Sequence, residues 1–225
     1  MPRHLQREIE KLKKKILSLG ALVEENVQRA VKSISDRDLK LANLVLGADP
    51  EIDQMEVDIE EDCLKILALN QPVAIDLRFI IAVLKINNDL ERIGDLAINI
   101  AERAAFLATR ENDRIPFDFP GMSGLAQAML KKSLDSLVNL DSKSAREVIV
   151  SDDRVDAMHR EMYTKIAEGI RRNMDQLDSY INLLAVSRQL ERIADHATNI
   201  AEDVIYMVDG EIARHRGDDY YSDKS

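Results

Sequence analysis

Apolar residues recur every three to four positions along almost the whole chain, the period of an α-helix with one buried face. That spacing predicts one helix over 4–34 and a second over 37–69, with a break near Gly47 and Pro50. Asn70-Gln71-Pro72 ends the second helix, because proline cannot continue the hydrogen-bond ladder and pushes its predecessor toward extended geometry. A third helix is predicted over 73–109. Three more follow at about 122–139, 142–172 and 178–209, with Gly210 placed to cap the last. Between the two sets lies the one turn-rich internal stretch, which holds Asn112, Asp113, Pro116, Pro120 and Gly121.

The two sets are copies. Residues 90–102 read LERIGDLAINIAE and residues 190–202 read LERIADHATNIAE, identical at ten of thirteen positions at an offset of 100. Upstream, residues 19–53 align with 122–156 at an offset of 103 without a gap, so Asp49 meets Asp152, Ile52 meets Val155 and Asp53 meets Asp156. The three extra residues of the first copy are placed in the Asn70-Gln71-Pro72 loop. The expected fold is all-α: a tandem pair of three-helix bundles, six long helices in all, related by pseudo-two-fold symmetry. The first repeat spans 1–110, a linker 111–121, the second repeat 122–213 and a frayed tail 214–225.

In the third helix of each copy the apolar face is Ile86, Leu90, Ile93, Ala97, Ile100 and Ala104, repeated as Leu190, Ile193, Ala197, Ile200 and Val204. Opposite it run Glu91, Asp95, Asn99 and Glu102, and again Glu191, Asp195, Asn199 and Glu202. At 100° per residue, four such positions fall within about 80° of one another. A polar stripe opposite an apolar one is what any surface helix has. This one departs from the usual surface, because acids at i and i+4 repel where mixed signs would pair. Arg92 and Arg192, at the edge of the stripe, or a bound cation would relieve that repulsion. A second row precedes it in each copy: Asp49, Asp53, Glu56 and Glu60, with counterparts Asp152, Asp156, His159 and Tyr163. Facing rows of this kind would form a carboxylate cage, and oxygen ligands without cysteine suit Mg²⁺, Mn²⁺, Ca²⁺ or Fe. His159 and His196 are further candidate ligands, although a lone helix histidine is more often a surface residue.

Composition narrows the function. The net charge is −10, and the one basic cluster, Lys11 with Lys13 to Lys15, lies among acids and reads as a solvated helix face. Nucleic acid is therefore not an expected partner. Cys63 is the single cysteine and sits in an apolar helical pattern, which suggests a buried small hydrophobe in a reducing compartment. No apolar signal region follows the N-terminus, and the longest apolar run, Phe79 to Leu84, is six residues. There is no phosphate-binding glycine loop, nucleophile elbow or histidine-rich metal motif, so no catalytic constellation emerges.

The twice-repeated LERIxDxAxNIAE, the segment QPVAIDLR before its first copy and RQLERIADHATNIAEDVIYMVDG around its second resemble the PhoU family over nearly the whole length. The resemblance implies a cytoplasmic, helical, homodimeric negative regulator of phosphate uptake and of the phosphate-starvation response. Its implied partners are the ATPase subunit of a phosphate ABC transporter and a sensor histidine kinase, with the membrane reached only through them. It also implies iron, manganese, magnesium or zinc ions at the acidic stripes. Glu91, Asp95, Glu191 and Asp195 match the family's acidic motif, and Asp53, Glu56 and Asp156 match the acids of the preceding helix. His159 stands where an acid would be expected, which puts the nuclearity of the second site in question. Two rival readings are a metal-dependent phosphohydrolase, for which basic groups near the stripes are sparse, and a helical metal-binding scaffold with no regulatory role.

Overall fold

The computed structural model describes residues 3–110 and 118–211. These form α1 (Arg3–Asp36), α2 (Leu39–Leu46), α3 (Asp49–Asn70), α4 (Ile75–Ala108), α5 (Phe119–Asn139), α6 (Ser142–Arg172), a 3₁₀ turn (Met174–Gln176) and α7 (Leu177–Asp209). No strand occurs among the described residues. The expected break near Gly47 is complete: α2 ends at Leu46, and Pro50 enters α3 in its first turn, where its missing N–H is not needed. The second copy has no such break, and α6 runs unbroken over the corresponding stretch.

Local chemistry sets the helix starts. Asp38 accepts from the N–H groups of Lys40 and Leu41, and its counterpart Asp141 accepts from Lys143 and Ser144. Asp118 caps α5 by accepting from Gly121 N–H, and Pro120 lies in the first turn. The helix therefore starts at Phe119, three residues before the predicted 122, and takes in residues read as linker. A Pro-Gly pair signals a turn only where nothing caps it. Gly210 ends α7 at φ 74°, with its N–H on the Tyr206 carbonyl, as predicted. The rest of the expected linker, 111–117, and the tail from 214 lie outside the described residues.

α1, α2–α3 and α4 pack as one unit and α5, α6 and α7 as another. The units meet where α4 lies along α7 and α1 along α5, so each seam joins a helix to its own repeat counterpart. Lys85 meets Asp203, Asp89 meets Asn199 and Arg110 meets Asp178, so α4 and α7 run antiparallel with residue 94 level with residue 194. Gly94 and Ala194 are counterparts, and the pseudo-two-fold axis passes between them. Met129, Leu130, Leu134 and Leu137, read as core or dimer seam with core preferred, are all buried. Cys63 is buried too, and burial pushes its thiol up to about 12, beyond nucleophilic use.

The motif's Gly/Ala difference at 94 and 194 has a packing cause. A Cβ on Gly94 would lie 3.1 Å from Ile52 Cδ1 and 3.3 Å from Ile52 Cγ2. The second copy carries alanine at 194, and opposite it the shorter Val155 replaces isoleucine. Gly94→Ala alone is expected to destabilise by about 1 kcal/mol, because overpacking outweighs the gain in helix propensity. In an Ile52→Val background the same change should stabilise. Urea midpoints of the four proteins test this, and strictly additive effects would refute the steric coupling.

Candidate functional site

α3 lies antiparallel to α4, and α6 to α7, which decides which acids meet. The Asn87 side-chain amide donates to the Glu56 carbonyl at 2.9 Å. At the equivalent place His159 Nδ1 lies 2.7 Å from Ser187 Oγ. From these anchors the register brings Asp53 and Asp49 alongside Glu91 and Asp95, and Asp156 and Asp152 alongside Glu191 and Asp195. The two predicted rows thus face each other in part, through Glu91 and Asp95 in the first unit and Glu191 and Asp195 in the second.

Their electrostatics show the crowding. The Glu91 carboxyl is raised by burial and then by Asp95, with weaker repulsion from Glu56 and Asp53. Asp49 is raised by burial, Asp53 and Asp95, and Glu56 by burial, Glu60 and Asp53. In the second unit Asp152 is raised to about 6, first by burial and then by Asp195, Asp156, Asp153 and Glu191. Glu191 and Asp195 are raised by burial and by the neighbouring acids, against weaker relief from His159 and Arg188 at Glu191 and from His196 and Arg192 at Asp195. Asp195 opens to solvent on one side, yet the surrounding protein still acts on its carboxyl.

The clusters differ in how the charge is met. Arg92 lies across the first, with Nε 3.3 Å from Glu91 Oε2 and Nη1 3.3 Å from Asp95 Oδ2. In the second, Arg160 reaches Asp156 at 3.7 Å from the solvent side. Glu91 Oε2 and Asp152 Oδ1, one oxygen in each cluster, are buried without a hydrogen-bond partner. Glu91 Oε2 still has the Arg92 ion pair; Asp152 Oδ1 has no hydrogen-bond partner among the described residues, which a simple solvated face would not leave. Among the described residues, no three such side chains converge tightly enough as they stand to hold one ion.

The stripe of four does not stay together. Asn99 and Glu102 lie beyond the start of α3, at the level of α2. Asn99 donates to the Asp95 carbonyl at 2.8 Å, and Glu102 is exposed. Asn199 turns to the other unit and donates to Asp89 Oδ1 at 3.2 Å, and Glu202 is half-buried further along α7. His196, a candidate ligand from the sequence, places Nδ1 2.7 Å from Asp89 Oδ1 and so belongs to the α4–α7 seam. Asp152, the most perturbed acid, was outside the set carried over from the family motif. The signal for it was present, since Asp152 and Asp156 stand at i and i+4 on the face that carries His159.

His159 is held in one sense. Ser187 Oγ donates to the Leu184 carbonyl at 3.1 Å, so the imidazole is left to donate from Nδ1 to Ser187. In the neutral ring that leaves Nε2 with its lone pair, the arrangement by which outer hydrogen bonds orient a ligating histidine.

The family model of the PhoU domain matches the chain twice, over residues 16–104 and 119–204. The chain belongs to the PhoU family. The phosphate-specific transport system accessory protein PhoU homolog of Pseudomonas aeruginosa is 38% identical over 211 residues, 93% of this chain and 87% of that protein. The Aquifex aeolicus homolog of the same name is 37% identical over 212 residues, covering 94% and 96%. The crystal structure of PhoU from Pseudomonas aeruginosa superposes with a TM-score of 0.87 at 37% identity, over 92% of this chain and 99% of that one. The phosphate transport system regulatory protein PhoU from Streptococcus pneumoniae gives 0.81 at 29% identity, over 92% and 98%. The all-α fold expected from the repeat is thus the PhoU fold. No described helix is long and apolar enough to cross a membrane.

Proposed function

We propose that this chain is a cytoplasmic accessory protein of a phosphate-specific transport system and a negative regulator of phosphate uptake and of the phosphate-starvation response. It is not an enzyme: it bridges the ATPase subunit of a phosphate ABC transporter and a sensor histidine kinase, working as a homodimer. The observation that supports this reading is the pair of crowded acidic clusters on a helical scaffold, in a chain whose relatives are named as accessory and regulatory proteins of phosphate transport. The rival phosphohydrolase would need cations to seat a phosphate, and the arginines at these clusters are engaged with or neighbour carboxylates.

The donor types of the clusters suit a cation of the iron, manganese, magnesium or zinc kind, which would have to draw the side chains closer than they stand. Asp49, Asp53, Glu56, Glu91 and Asp95 supply only oxygens, and the second cluster adds the His159 Nε2 lone pair to Asp152, Asp156, Glu191 and Asp195. The buried Asp152 oxygen that lacks a hydrogen-bond partner is an acceptor such an ion would satisfy. A bound ion would supply positive charge to offset the repulsion among these acids.

The test joins metal content to regulation. Protein purified without tag or chelator is measured by elemental mass spectrometry beside the variant carrying Glu91→Ala, Asp95→Ala, Glu191→Ala and Asp195→Ala. The native chain is expected to carry metal and to restore repression of a phosphate-starvation reporter in a host lacking its own copy. The variant is expected to fold, to lose the metal and to leave the reporter on. A variant that binds metal normally and still represses removes the role of the stripes. Metal-dependent turnover of p-nitrophenyl phosphate by the native chain would favour the enzyme.

A further inference from the structure

Beyond the second acidic cluster, between α6 and the first half of α7, a cleft of about 320 Å³ is lined by His159, Tyr163, Ile181, Leu184, Ala185 and Arg188. Its size lies at the lower end of the range for sites that take a small group. Leu184 and Ala185 form a half-buried apolar floor. Tyr163 and Ile181 stand 62% and 55% exposed at its rim. Arg188 is exposed and makes no ion pair, although its charge is felt by Glu191 on its own helix.

The repeat shows how this cleft arose. In the first unit the same positions are Glu56, Glu60, Ile81, Leu84, Lys85 and Asn88. The apolar pair is kept, Ile81 as Ile181 and Leu84 as Leu184. The charge is reversed: two acids became histidine and tyrosine, and an asparagine became Arg188. The one cation among those six positions, Lys85, is turned into the α4–α7 seam, where it meets Asp203 at 3.2 Å. Among these six positions the first copy of the groove thus carries two carboxylates, and the second carries none and a guanidinium instead.

We propose that the α6–α7 cleft docks an acidic segment of a partner protein, with one apolar side chain over Leu184 and Ala185 and a neighbouring carboxylate on Arg188. The proposal rests on the partner-docking reading above. Charge complementarity selects the occupant. A guanidinium holds a carboxylate through paired N–H donors, and the Tyr163 ring adds contact area at little rotamer cost. Arginine and tyrosine are also the residue types that dominate measured binding energy at interfaces. The cleft is too small for a whole helix and accepts one anchor residue.

The probe is a fluorescein-labelled peptide, Gly-Glu-Leu-Glu-Glu-Leu-Gly, with analogues carrying glutamine or lysine for every glutamate. Binding to the full chain is followed by anisotropy and by methyl NMR of isoleucine and leucine. The acidic peptide should shift the Ile181 and Leu184 methyl signals. Its affinity should fall at least tenfold with Arg188→Glu or Arg188→Gln, and at least tenfold when its glutamates become glutamine. Arg188 is exposed, so both variants should keep the wild-type circular dichroism and melting temperature. Equal binding of the lysine analogue, shifts confined to other methyls, indifference to Arg188, or no binding at millimolar peptide would each overturn the proposal. Capture of the transporter ATPase by the same preparation is measured in parallel: its failure would refute the partner-docking reading and leave the peptide result to stand or fall separately.

Discussion

Asp89→Ala is expected to lower the unfolding free energy by about 2–4 kcal/mol, one of the two largest stability effects anticipated for a single residue in this chain. Asp89 accepts from His196 and Asn199 across the α4–α7 seam, with the two principal side chains only 13% and 18% exposed. Removing the carboxylate leaves an imidazole and an amide half-buried with nothing to donate to. The figure is set below that for a fully buried pair because some solvent reaches the site. The repeat supplies the compensating change. At the counterpart positions the chain carries Gln189 and Leu96 in place of Asp89 and His196. Asp89→Gln combined with His196→Leu should therefore recover most of the loss caused by either change alone. Chemical denaturation of the four proteins measures it, and a double variant as unstable as the sum of the singles would show that the seam does not tolerate the exchange.

Asp152→Asn is expected to do the reverse and stabilise the metal-free protein. The folded carboxyl titrates near 6 against an ordinary 3.8, chiefly because it is buried and then because Asp195 and Asp156 repel it. Between those values the folded state holds a proton that the unfolded chain has released. Stability from this group is full below 3.8 and is lost as pH rises through about 6. Above that the ionised carboxylate opposes folding by about 1–2 kcal/mol, after allowing for its contact with solvent. Asparagine removes the charge and keeps the shape. In chelator, the variant should melt about 2–4 °C above the native chain at pH 8 and together with it at pH 3.5. Added manganese should narrow the difference at pH 8 by raising only the native chain. A variant that melts lower at pH 8, or that gains equally at both pH values, would mean that Asp152 is not under electrostatic strain.

Much of this molecule was legible in its sequence because its architecture is written twice. Helical period, Pro72, Gly210 and the repeated motif located the six long segments and their pairing. The break between α2 and α3 was visible at Gly47 and Pro50. The start of α5 was misplaced because Phe119-Pro120-Gly121 reads as a turn until Asp118 is seen capping it. The acidic site was legible in angle and not in level. Periodicity places Glu91, Asp95, Asn99 and Glu102 on one side of α4, but only the antiparallel register against α3 decides that the first two meet other acids and the last two pass beyond them. The same limit hid the seam: nothing in the local sequence around Asp89 announces His196, which lies more than a hundred residues away.

The axis between Gly94 and Ala194 has a consequence for how such a chain can change. Two separate copies of one repeat, meeting through this seam, would show every substitution on both sides of the axis at once. A new aspartate would appear twice and need two new histidines. Joined in one polypeptide, the halves stay at high local concentration and can be edited independently. The Asp89–His196 bridge on one side and Gln189 with Leu96 on the other record that freedom. So do the opposite charges of the two outer grooves. Covalent duplication let a self-complementary pair of halves become a two-faced one, with the potential to hold unlike neighbours on its two flanks.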